Sequence, residues 1–226
     1  MGIVRQGLRD IQWFPSLKTP EVLMHEHHSE ADSIGQALVA KGVKLVVFGA
    51  HAANRFVLRS RTTQDVDFLC DDFASVKKQL GTEFAHLLVD ETQRNLIRIA
   101  KEDGDVADFV EPVGPILPRV FKETIADETN RDERGYYYPR AEFVLAMKFS
   151  SMIHPSRAPT RQMQDAVDFA NVVLGVDQRA ADAGEDPAQS LDIPLLIELG
   201  NAIYEFGGAE ITRHISDVRA GKRLQY

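Results

Sequence analysis

The chain predicts an α/β (α+β) protein: a mixed sheet with flanking helices, followed by a helical C-terminal subdomain. Three observations carry this. Short apolar runs of strand length, bounded by glycine, proline and aspartate, fall between residues 43 and 110. Segments with helical spacing precede them and alternate with them. After Pro118 the strand-like runs give way to helical patterns that continue almost to the end. The expected organisation is an α/β domain with an N-terminal helix over 1–135 and a mainly helical subdomain over 136–226.

Taken in order, residues 1–20 read as irregular, with Pro15 and Pro20 as punctuation. Glu21–Lys41 places Leu23, Met24, Ala31, Ile34, Ala37 and Leu38 at helical spacing, and Gly42 ends the helix. Val43–Phe48 is a nearly continuous apolar run, as a buried strand requires. Ala50–Leu58 fits a short helix, Asp65–Cys70 the next strand and Phe73–Leu80 another helix. Phe84–Val89, Leu96–Ala100 and Val106–Val110 fit strands, the last two as a hairpin turning at Asp103-Gly104. Tyr136–Tyr138 fits one last short strand packed on the helical subdomain. Ala141–Ile153, Thr160–Leu174, Leu191–Phe206 and Ala209–Ala220 read as helices. The Ala-, Asp- and Gly-rich stretch Asp177–Gln189 reads as an exposed connection.

Composition narrows the functional classes. With 226 residues and 44% hydrophobic content, the chain can bury a sizeable core. A net charge of −8 argues against broad, sequence-independent nucleic-acid binding, while leaving room for a local basic groove. Cys70 is the single cysteine, so no internal disulfide forms, and it reads as a small buried hydrophobe. No apolar run reaches the length of a membrane span, and the N-terminus lacks the apolar core of a signal peptide. The expectation is a cytoplasmic protein.

The chemistry concentrates in VKLVVFGAHAANRFVLRSRTTQDVDFLCDD, Val43–Asp72. Asp65 and Asp67 lie two apart on a strand and share a face. Adjacent carboxylates repel unless a cation sits between them, and Mg²⁺ prefers carboxylate oxygens together with substrate phosphates. Gly49 follows the preceding strand, where a glycine lets backbone approach a phosphate. Asp108, in VADFVEP, suits a third carboxylate on a neighbouring strand. Asp105 has the other parity and is expected on the opposite face. Three carboxylates on one sheet face can hold two metal ions roughly 4 Å apart.

The pattern Gly-Ala…Arg-x-Thr-x-Asp-x-Asp resembles the nucleotidyltransferase fold of the DNA polymerase β superfamily. Within it, the chain is most similar to the AbiEii-type nucleotidyltransferase toxins of toxin–antitoxin systems. A second segment, FVLAMKFSSMIHPSRAPTRQMQDAVDF, resembles that group's helical motif: a lysine, a small residue three on, an arginine-containing turn, then Asp-x-x-Asp. The resemblance implies a nucleotidyltransferase-type mixed sheet and Mg²⁺-dependent transfer of a nucleoside monophosphate from a nucleoside triphosphate to an acceptor hydroxyl. Two Mg²⁺ ions, or Mn²⁺ in their place, would be held by Asp65, Asp67 and Asp108, with Asp108 helping to deprotonate the acceptor. Gly49 and Ala50 would cradle the phosphates with Thr62 and Thr63. Arg61 and Lys148 would neutralise the triphosphate, Lys148 forming a functional pair with Asp165. The implied acceptor is RNA, a tRNA end foremost, and the implied protein partner is a cognate antitoxin.

Alternatives stand beside this reading. The acceptor could be a small molecule, as for aminoglycoside nucleotidyltransferases, or a protein hydroxyl. The chain could also be a catalytically silent binding module that kept the fold. Two departures motivate the latter: Ala50 stands where the family carries glycine or serine, and Gln164 where a basic residue precedes Asp-x-x-Asp. His25, Glu26, His27 and His28 lack partners at zinc spacing and read as a solvated helix face.

Overall fold

The computed structural model describes residues 20–60, 62–63 and 65–224, with side chains from His28 onward. Helix α1 (Pro20–Ala40) buries Ala31, Ile34 and Leu38 at the i, i+3, i+7 spacing that makes one apolar stripe. Gly42, at φ +85°, ends it in the left-handed conformation expected after a helix. The sheet follows: β1 (Val46–Val47), helix α2 (Gly49–Asn54), β2 (Val66–Leu69), helix α3 (Phe73–Glu83), β3 (Leu88–Asp90), β4 (Leu96–Lys101) and β5 (Gly104–Val110). Spatial order is β1-β2-β5-β4-β3, with β2 and β5 parallel and the other pairs antiparallel. The expected mixed sheet with flanking helices is therefore present.

The helical part comprises α4 (Leu117–Ala126), α5 (Ala141–Met152), α6 (Pro159–Asp182), α7 (Ile193–Ile203) and α8 (Gly207–Arg219). Several boundaries differ from expectation. Helix α4 was not foreseen, because the run Pro112–Pro118 reads as a break. Pro118 instead occupies the first turn, where its missing N–H costs nothing. Helix α6 runs eight residues past Leu174 and absorbs the first part of the expected connection. Asp177 there accepts two hydrogen bonds from Arg219, at 2.8 and 2.9 Å, which ties the extension to α8. Helix α2 stops at Asn54, and β1 pairs over only two residues. The strand expected over Phe84–Val89 forms only at Leu88–Asp90.

The two sheet faces differ in chemistry, and this creates the site. One face presents Val47, Phe68, Ala107, Phe109, Ile97 and Ile99 to α1 and α3, closing a continuous core. On the other, Val46, Leu69 and Val110 pack into the helical core built from α4–α8. Further along the same strands, the side chains of that second face are Asp67, Asp108 and Arg98, and the helices leave them open. Tyr136–Tyr138 forms no strand: Tyr137 alone makes isolated bridges, to Val46 and to Arg131. Tyr136 turns toward α1, where its hydroxyl donates to the Asp32 backbone at 3.0 Å, and Tyr137 joins the helical core. The aromatic run thus binds both layers rather than the helical one alone.

Helix α6 crosses the segment after α2 at Gly175. A Cβ there would lie 1.9 Å from the Phe56 carbonyl oxygen, a backbone atom that cannot swing aside. Helix propensity alone predicts that Gly175→Ala stabilises the protein by about 0.5–1 kcal/mol. Overpacking predicts a loss of about 1–3 kcal/mol, and the backbone contact decides for the loss. Urea unfolding of the variant is expected to show a lower midpoint; a raised midpoint would show that α6 does not sit this close.

Candidate functional site

The parallel pairing of β2 and β5 puts Asp67 directly beside Asp108. The antiparallel pairing of β5 and β4 puts Arg98 directly beside Asp108, and β3 adds Asp90 opposite Arg98. One row of charged side chains therefore crosses the sheet. Directly opposite residues share a face and stand close enough to interact strongly. Asp65 precedes β2 rather than lying in it, yet its carboxylate joins the group: one oxygen each of Asp65, Asp67 and Asp108 lies within 4.8 Å of the others.

Each carboxylate is held differently. Asp65 accepts a hydrogen bond from the Thr63 hydroxyl at 3.1 Å, and that hydroxyl also reaches the Asp65 carbonyl at 3.2 Å. Asp108 is buried and gripped by Arg98 through two hydrogen bonds, Nε to Oδ1 at 3.0 Å and Nη2 to Oδ2 at 2.8 Å. Such a fork is the strongest geometry for a guanidinium and a carboxylate. Asp67 has no such partner among the described residues. Burial first, then the Asp65 and Asp108 charges, push its pKa up to about 7, against weaker pulls from Lys148 and Arg157.

Gly49 explains how Asp67 fits. Its φ is +63°, and a Cβ there would lie 1.9 Å from Asp67 Oδ2. The carboxylate thus fills the space a side chain would need, a constraint only glycine meets. The adjoining Phe48 N–H donates to the Asp67 carbonyl at 3.0 Å, so the glycine turn and the acidic strand are laced together.

These groups floor a cleft of about 800 Å³ between sheet and helices. Thr63, Gly49 and Ala50 line it, and Thr62 does not. Arg61 lies outside the described residues. One wall carries Arg94 and Arg98, and the other Lys148, Arg157 and Arg161. Lys148 is not free within its wall. Its ammonium donates to Asp165 Oδ1 at 3.0 Å and Asp168 Oδ2 at 2.6 Å, with all three side chains buried. Arg157 pairs with the other Asp165 oxygen at 2.6 Å, and Gln164 donates to Asp168 at 3.1 Å. The lysine and the Asp-x-x-Asp pair thus form one buried network joining α5 to α6.

Two further findings depart from expectation. Asp105 lies on the cleft side with Asp108, not on the opposite face. The β5–β4 register shifts by one residue at Ile99/Ala100, and such a bulge reverses the parity on which the expectation rested. The hairpin turns at Glu102-Asp103, one residue earlier than expected, since Lys101 pairs with Gly104. His28 is half-buried rather than solvated. Its Nε2 donates to the Thr63 carbonyl at 2.7 Å, and its ring meets His51 edge-on at 5.0 Å. It therefore steadies the residue that orients Asp65. His25, Glu26 and His27 have side chains outside the described residues. Arg98 escaped the sequence reading, although a lone arginine in the apolar strand LIRIAK was a usable signal.

No family model matches the chain, and no curated protein matches it. Solved structures do. An antigenic nucleotidyltransferase-like protein from Paracoccidioides brasiliensis matches at TM-score 0.43 and 12% identity, over 66% of this chain and 76% of that one. The antibiotic-resistance factor ANT(2'')-Ia matches at TM-score 0.45 and 15% identity, over 71% and 95%. The Megavirus polyadenylate synthase matches at TM-score 0.45 and 13% identity, over 76% of this chain but only 40% of the synthase. At TM-scores below 0.5 these likenesses are loose, and the functional reading rests on the chain's own residues.

The raised pKa of Asp67 gives a signed prediction for the metal-free protein. Between about pH 4 and pH 7 the carboxyl is protonated when folded and ionised when unfolded. Its contribution to stability is therefore lost progressively as pH rises through that window. Asp67→Asn removes the titration. The variant's melting temperature should gain on wild type from pH 4 to pH 7 and hold its lead above, by about 2–4 °C per kcal/mol relieved. Parallel curves for the two proteins would show that Asp67 ionises normally.

Proposed function

We propose that the chain is a Mg²⁺-dependent nucleotidyltransferase that moves a nucleoside monophosphate from a nucleoside triphosphate to an acceptor hydroxyl. The observation that carries this is the convergence of Asp65, Asp67 and Asp108 on the floor of an open cleft. The donor set fits a hard divalent ion: all oxygen, anionic, and including one carboxylate whose charge lacks a described partner. Bound there, Mg²⁺ or Mn²⁺ would polarise the acceptor oxygen and neutralise charge on the triphosphate.

The remaining roles belong to the protein. The acceptor oxygen attacks the α-phosphorus, the bond to the bridging oxygen of the β-phosphate breaks, and pyrophosphate leaves. The acceptor's proton passes to an Asp108 oxygen. Gly49 and Ala50 give the phosphates a wall without side-chain bulk, and Thr63 keeps Asp65 aimed. Arg157 and Arg161 supply positive charge to the triphosphate from the helical side. Lys148 is committed to Asp165 and Asp168, so its role is to hold the α5–α6 wall in place and contribute charge at a distance. The helical subdomain, 136–226, thus supplies the second half of a composite site.

The basic residues of the walls, with the acidic floor carrying metal, suit an anionic acceptor. Arg98 and Arg157 are paired with Asp108 and Asp165, but a metal ion on the acidic floor would offset the carboxylates there, and Arg94 and Arg161 would then give an RNA end phosphate partners. RNA, with a tRNA end foremost, is the proposed acceptor. A toxin role with a cognate antitoxin, in the cytoplasm, belongs to the same proposal. Among the described residues no helix is long and apolar enough to cross a membrane. One observation supports a second reading, a silent binding module: Ala50 faces the cleft with no hydroxyl to offer a phosphate.

Calorimetry with Mg²⁺ and each nucleoside triphosphate separates the readings. Wild type is expected to bind at least one triphosphate only with metal, and the double variant Asp65→Asn/Asp67→Asn to lose at least about 100-fold in affinity, since each ligand removed costs several kcal/mol of charge pairing. Absence of binding by wild type would sink the enzyme reading. Incubation with labelled triphosphates and total RNA should then label RNA. Binding without transfer to any acceptor would favour the silent module.

A further inference from the structure

We propose that Arg98 is a resident counter-ion that competes with a metal ion for Asp108 and turns away from it when metal is bound. The inference rests on the metal-site reading above and deepens it. Asp108 offers two carboxylate oxygens, and Arg98 occupies both, at 3.0 and 2.8 Å. The fork takes one lone pair on each oxygen and draws off part of the carboxylate's charge, which leaves less for a cation beside Asp65 and Asp67 and makes either oxygen a weaker base for an acceptor's proton. Guanidinium and cation therefore compete for the charge of Asp108.

The geometry allows the exchange. Arg98 stands on β4 beside Asp108, but its side chain is 41% exposed, and the cleft gives the guanidinium room to turn away. Asp108 is 11% exposed at its side chain and stays where the strand puts it. The mobile member of the pair is thus the arginine. Its position also answers an electrostatic need. Three carboxylates cluster on this sheet face, and without an ion the Arg98 charge offsets one of them. With that charge supplied by a bound metal ion, the Arg98 guanidinium would be freed into the cleft that Arg94 also lines, available to an anionic substrate.

A fixed structural arginine and an exchangeable counter-ion respond oppositely to removal. If Arg98 only braces Asp108, its loss leaves metal affinity unchanged or lowers it. If Arg98 competes with metal, its loss raises affinity while the metal-free fold loses stability. Mn²⁺ binding, followed by the electron paramagnetic resonance signal of the free ion, distinguishes them for wild type, Arg98→Gln, Arg98→Lys and Asp67→Asn. Arg98→Gln should bind Mn²⁺ about tenfold more tightly than wild type, equivalent to about 1.4 kcal/mol, and melt at a lower temperature without metal. Arg98→Lys keeps the charge and the stem but loses the fork, so it should fold if Arg98→Gln does not and bind about two- to threefold more tightly than wild type. Equal or weaker Mn²⁺ binding by the arginine variants, with binding lost in Asp67→Asn, would overturn the exchange and leave the metal site standing. Absence of Mn²⁺ binding by wild type would overturn the metal site and the exchange together.

Discussion

The molecule is organised around one costly contact: Asp67 and Asp108 side by side on parallel strands, with Asp65 against them. Like charges at this spacing on half-buried ground are unfavourable, and a fold that sought only stability would avoid them. Several nearby features compensate. Arg98 is placed in register to grip Asp108. Gly49 gives up its side chain so that the Asp67 carboxylate has a place. Thr63 holds Asp65, and His28 holds Thr63. Among the described residues Asp67 remains the least compensated, and its carboxyl keeps its proton up to about pH 7. That leftover strain is what the proposed metal ion would relieve.

The same constraint shapes the larger architecture. One sheet face can be largely apolar because α1 and α3 cover it, with Lys101 at the end of β4 paired to Glu30 of α1. The other is left uncovered where the acidic row lies, and α4–α8 pack on its apolar end, at Val46, Leu69 and Val110. The gap left between α5–α6 and the exposed part of the sheet becomes the cleft. The Lys148–Asp165–Asp168 network is then best understood as a rigid joint in the second wall. It is buried, each charge has an opposite, and Arg157 reaches from it toward the opening. Breaking one member would leave a buried charge unpaired, which is expensive.

Much of the fold could be read from the chain because its signals are local. Alternation and apolar runs marked β2, β4 and β5, and 3.6-residue spacing marked α1. The spacing of Asp65 and Asp67 and the strand around Asp108 were visible for the same reason. What could not be read depends on register. The bulge at Ile99/Ala100 moves Asp105 onto the cleft side and sets Arg98 opposite Asp108; a hairpin turning at Asp103-Gly104 without a bulge would have set Arg98 opposite Phe109. The prolines before α4 read as a break because proline marks both the end of one segment and the first turn of the next. The length of α6 depends on Asp177 meeting Arg219, a contact 42 residues away in sequence. The pairing of Lys148 with Asp165 was legible; that Asp168 also accepts from the ammonium and commits it to α6 depends on how α5 packs on α6.

Anomalous diffraction from crystals grown with Mn²⁺ and a non-hydrolysable nucleoside triphosphate tests the acidic floor most directly. If Asp65, Asp67 and Asp108 form a metal platform, manganese peaks will lie about 2.1 Å from their oxygens, with the triphosphate in the cleft and the Arg98 guanidinium turned away from Asp108. A triphosphate bound elsewhere, or a cleft without manganese and with Arg98 still closed on Asp108, would contradict it.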